Sequence, residues 1–183
     1  LHHFKKTVGY TSKYNIAWKG LKEGITEYVY LIDAEFFEQI DKSLVEKAEV
    51  LARVTIEKRN LVFTFGFELE GTVELTCDRC LEKYNQFIKQ QVTLLIRIGD
   101  GLAEPGDDVI WISPGEDFIN LAQLLYEYIV LSIPVRHVHP KDKNGKSLCN
   151  PEMLKQIEKY STKESEPAKD HRWDELKKLM HTN

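Results

Sequence analysis

Cysteine is scarce in this chain: three residues in 183. A small odd number excludes the paired disulfide framework that staples small secreted domains. Long apolar runs are missing too. No stretch approaches the roughly 18 consecutive apolar residues of a membrane-spanning helix. The opening LHHFKKTVGY has no apolar segment of the kind a secretory signal carries. Together these absences predict a cytoplasmic protein with no membrane partner.

Motifs of catalysis are also lacking. The chain holds no Gly-rich phosphate loop, no Gly-x-Ser-x-Gly elbow and no His-Glu-x-x-His helix. Asp107 and Asp108 fall in DGLAEPGDDV, a Gly- and Pro-bearing surface loop, where a solvated carboxyl pair makes a poor general acid. No catalytic residue is therefore assigned.

Charge of one sign is not dominant overall, at net −4, but it is unevenly placed. From residue 136 onward, 11 Lys and Arg face 8 Asp and Glu; the first 135 residues hold 14 against 21. An acidic body argues against a general clamp on naked nucleic acid, which requires a positive stripe to displace phosphate counterions. A basic protein partner fits better, although the same net charge also serves plain solubility.

What is present in quantity is apolar residue at strand period. Hydrophobic residues make up 42% of the chain, enough for a real core. Val50, Ala52, Val54 and Ile56 alternate with partners of the other face. After a polar tip at 57–60, Leu61, Phe63, Phe65, Phe67 and Leu69 recur at every second position, which predicts a hairpin with one face in the core. Gly71 then predicts a bulge or bend. TEYVYLID, YNQFIKQQVTLLIRIG and VIWIS have strand composition, and AEFFEQIDKS predicts a short helical or irregular link. Residues 116–134 carry the best helical stripe, with Asp117 or Asn120 as cap and Pro134 as terminator. NPEMLKQIEKY begins a second helix, with Asn at the cap and Pro at the first turn. DHRWDELKKLM predicts a short amphipathic helix at the end.

The fold expectation is α+β: an antiparallel, strongly curved or barrel-like sheet with a covering helix and a C-terminal helical extension. Residues 1–13 read as an N-terminal extension, 14–160 as one domain, and 161–183 as linker plus basic helical segment.

Chemistry concentrates in ELTCDRCLEKY. Cys77 and Cys80 stand two residues apart, as a metal knuckle requires, but two further ligands must close a zinc tetrahedron. The candidates are His137, His139 and Cys149. A thioredoxin-type redox pair is the weaker alternative, because no βαβ unit surrounds the motif. Partly buried packing thiols are the other.

Several stretches resemble the YceD-like family, proteins linked to accumulation of large-subunit ribosomal RNA. They are YNIAWKGLKEGITEYVYLIDAEFF, LEGTVELTCDRCLEKY, INLAQLLYEYIVLSIPVRHVH, the later Cys-Asn-Pro and DHRWDELKKL. Cys77, Arg79 and Cys80 match the Cys-x-Arg-Cys-Leu signature, and Pro134, His139 and Cys149 match the later block. The resemblance favours His139 over His137, giving Cys77, Cys80, His139 and Cys149 as ligands of a structural zinc.

The resemblance implies a non-enzymatic ribosome-biogenesis factor supporting synthesis, processing or stability of large-subunit ribosomal RNA. The acidic body makes the expected partner a ribosomal protein or a large-subunit precursor ribonucleoprotein, with Arg79, Arg172, Trp173, Lys177 and Lys178 as the candidate contacts. The competing readings are a metal-dependent hydrolase acting on RNA and a zinc-free scaffold for a basic ribosomal protein.

Overall fold

The computed structural model describes residues 11–99 and 109–161. Its order is β1 (Asn15–Ile16), β2 (Gly24–Ile32), α1 (Ala34–Glu38), β3 (Ala48–Arg59), β4 (Val62–Thr76), β5 (Lys83–Ile98), β6 (Val109–Ile112), β7 (Ile119–Asn120), α2 (Ala122–Leu131) and α3 (Pro151–Tyr160). Strands β2-β3-β4-β5-β6 form one sheet, antiparallel except for the last pair, and β1 pairs separately with β7.

Alternation in the sequence becomes two faces of this sheet. Val50, Val54 and Ile56 of β3 and Phe63, Phe65, Phe67 and Leu69 of β4 are all essentially inaccessible to solvent. Removing one such large side chain from water stabilises the fold by roughly 1.5–3 kcal/mol. The β3–β4 turn is tighter than the expected four-residue tip. Arg59 pairs with Val62, so Asn60 and Leu61 alone make the turn. Asn60 takes a φ of 55°, a conformation Asn tolerates, and Leu61 is exposed rather than part of the core.

Gly71 is not a bulge. Registry runs unbroken through it, opposite Val50 on one side and Ile88 on the other. Its purpose is close approach: a Cβ at this position would collide with the Glu49 carbonyl and come within 2.6 Å of the Val50 Cα.

The expectation of a barrel is corrected. The sheet is open, with β2 and β6 at its two ends. The strand that would have to close it, β6, instead joins β5 in parallel. The inner face is covered by separate pieces. α2 buries Ala122, Leu125 and Ile129, and its Tyr128 ring lies 5.0 Å from Phe67. Phe36 and Phe37 of α1 pack beside it, with Tyr14 edge-on to Phe36 at 5.3 Å.

The helix predicted over 116–134 is shorter because Ile119 and Asn120 are taken up by pairing with β1. Asn120 still serves its start, accepting the Ala122 N–H at 3.0 Å, while Asp117 pairs with Lys19. Among the described residues no helix is long and apolar enough to cross a membrane. The predicted segment DHRWDELKKLM lies outside the described residues.

Candidate metal centre

Strand β4 ends at Thr76 and β5 begins at Lys83, so the Cys pair occupies the connection. Two backbone bonds fold it into a knuckle: the Cys77 N–H donates to the Glu82 carbonyl and the Leu81 N–H to the Cys77 carbonyl, both at 2.9 Å. The Arg79 N–H points at the Cys77 Sγ, 3.5 Å away. Closing the turn forces Leu81 to a φ of 60°. A branched residue there carries strain of roughly 1–2 kcal/mol.

The segment after α2 is held to this knuckle by a reciprocal pair. The Asp78 N–H donates to the His137 carbonyl, and the His137 N–H donates to the Asp78 carboxylate, each at 2.7 Å. His137 is thus used through its backbone, and its side chain is not part of the donor cluster. Two residues on, His139 places Nδ1 at 3.4 Å from the Cys80 Sγ. Its ring lies 4.9 Å from that of Tyr84, the first inward residue of β5.

The chain then doubles back. The Asp142 carboxylate accepts from the N–H groups of Asn144 and Lys146 at 2.8 Å each, and Lys141 bridges Ser147. The return brings the Cys149 Sγ to 3.7 Å from the Cys77 Sγ. Asn150 finishes the arrangement: its side-chain oxygen caps α3 at Glu152, and its amide donates to Glu82 beside the knuckle at 2.8 Å.

The structure therefore brings together Cys77, Cys80, His139 and Cys149, whose donor atoms all lie within 4.8 Å of one another. Zinc bonds of about 2.3 Å to sulfur and about 2.0 Å to nitrogen imply tetrahedral edges of roughly 3.8 Å and 3.6 Å. Two of the six separations, 3.7 Å between Cys77 and Cys149 and 3.4 Å between Cys80 and His139, match those edges. The same sulfur separation far exceeds a disulfide bond of about 2.05 Å, and all three cysteines are free thiols.

Electrostatics agree with a cation site. Burial pushes the Cys77 thiol up, but the N–H groups of Cys80 and Arg79 and the contact with His139 outweigh it and bring it down to about 5. Cys80 moves the other way, raised by burial, with its thiol neighbours Cys77 and Cys149 adding to the rise. Buried thiolates repel one another and resist joint ionisation; a divalent cation removes that conflict.

Of the residues assigned to partner contact, Arg79 is exposed on the knuckle. Arg172, Trp173, Lys177 and Lys178 lie outside the described residues. Reading the sequence missed Asp78, Glu82 and Tyr84 as supports. Asp78 sits inside the motif, but its bond to a backbone 59 residues away leaves no local signal.

The protein-family model for the large ribosomal RNA subunit accumulation protein YceD matches residues 65–180. The chain belongs to the YceD family. The matched span includes the knuckle and both later donors, and begins within β4. No curated protein and no solved structure matches the chain. Membership in the YceD family assigns the chain to ribosome biogenesis in a general sense. The family is described as an accumulation factor, not by a reaction it catalyses.

Proposed function

We propose that this chain is a non-enzymatic, cytoplasmic assembly factor that supports synthesis, processing or stability of large-subunit ribosomal RNA by binding a ribosomal protein or a precursor ribonucleoprotein. Residues 14–160 act as one unit in which Cys77, Cys80, His139 and Cys149 hold a structural zinc. Arg79 and the basic segment containing Arg172, Trp173, Lys177 and Lys178 meet the partner.

The observation that carries the zinc reading is the donor set. A hydrolytic zinc keeps one position for water, whereas the four donors clustered here would fill all four positions of a bound zinc. Bound zinc would satisfy the buried thiolates and hold the segment from His137 to α3 against the end of β4. The family match supports the ribosomal role, and the acidic body favours a protein or ribonucleoprotein surface over bare RNA.

The test is sedimentation of cell extracts at several growth stages, together with large-subunit RNA levels in a strain lacking the protein. Co-migration with large-subunit precursors and a fall in that RNA are expected. Free protein at every stage would sink the proposal.

A further inference from the structure

We infer that the cleft beside the knuckle, flanked by Leu81 and Leu44, is the docking site for a basic polypeptide segment that inserts an apolar side chain. This rests on the assembly-factor reading and names the chemistry of its partner.

Leu81 is the starting observation. It is held at a φ of 60°, where glycine or asparagine sits with little penalty, and the residue is 69% exposed. A leucine there strains the backbone and returns little burial to the fold. Strain combined with an exposed apolar group points to a contact made with something outside the fold.

Leu81 does not stand alone. It lines a cleft of about 390 Å³ with Leu44, itself 74% exposed. That volume suits one or two side chains rather than a folded element. The cleft borders the buried Cys77, one of the four clustered donors.

Charge decides the class of occupant. Glu46, Glu74 and Asp78 line the cleft together with His137 and one lysine, Lys83, and Lys47 acts on Glu74 from alongside. Lys83 is shared between Glu46 at 3.2 Å and Glu74 at 3.0 Å, which leaves a net negative rim around the two leucines. Phosphates would be repelled there, and a Lys- or Arg-rich segment attracted. Ribosomal RNA is disfavoured at this face, and a basic ribosomal protein is its complement.

The test uses the full chain and large-subunit ribosomal proteins, each purified singly, with protein-free large-subunit ribosomal RNA as a separate arm. At least one of the proteins should bind. Leu81→Gly should weaken that binding roughly tenfold or more, as should Leu44→Ala, while Leu81→Gly leaves the thermal midpoint unchanged or higher. Glu46→Lys should weaken binding, with the loss growing as salt falls.

The site is overturned if Leu81→Gly binds like the native chain, if that variant lowers the thermal midpoint, or if only the RNA arm binds. A Leu81→Gly chain that still co-sediments with large-subunit precursors would also reject this site, leaving the assembly role intact. A native chain that never co-sediments would reject the assembly role itself, whatever the titrations show.

Discussion

The sheet and the segment after α2 are held by different physics. Strands β3, β4 and β5 interlock through continuous registry over a face of buried Phe, Ile, Val and Leu. In residues 133–161 only Cys149 is fully buried, and α3 has no buried residue at all. Val138, Met153 and Leu154 reach the core only in part. The first region is stabilised by apolar area removed from water. The second meets the sheet through the Asp78–His137 pair, the Asn150–Glu82 bond and the four-donor cluster. One chain thus joins a core of packed strands to a segment with few buried contacts that meets it at the Cys pair.

The contrast can be broken from either side. Phe65→Ala should cost roughly 3–5 kcal/mol, lowering the denaturant midpoint of the whole protein with the metal content of the folded fraction unchanged. Gly71→Ala comes next, because its Cβ meets strand backbone that cannot swing aside. A loss of roughly 1–3 kcal/mol is expected, again global and read by the same titration. Asn150→Ala removes the α3 cap and its tie to Glu82, and should cost about 1 kcal/mol. That loss should be local, appearing as faster amide exchange in α3 with the sheet unaffected. If Asn150→Ala instead moved the global midpoint as far as Phe65→Ala, the two regions would be one cooperative unit and the contrast would fail.

Legibility in the sequence followed the same division. The Phe63–Phe65–Phe67 alternation marked a hairpin face because strand period is local, and the Asn150–Pro151 start of α3 was legible for the same reason. The donor set was legible only with the family resemblance. Spacing alone left His137 and His139 equal, and what separates them is the backbone pairing of His137 with Asp78, a contact between distant segments. Sheet closure was misread because alternation states which face is buried and says nothing about which strands end the sheet. The parallel docking of β6 decided that. Gly71 was read as a bulge or bend, and only the bulge is excluded by the unbroken registry. A glycine in a strand looks alike whether it admits an extra residue or a neighbouring backbone. Leu81 gave no sign of its left-handed backbone, as leucine rarely adopts it.

The most direct measurement is zinc content of protein purified without chelator or tag, coupled to amide exchange over residues 135–160 before and after chelation. About one zinc per chain is expected. Its removal should abolish protection in that span and leave β3, β4 and β5 protected, and Cys77→Ser with Cys149→Ser should reproduce the stripped state. Metal-free protein with full protection across 135–160 would contradict the account, since the segment after α2 would then need no fastener.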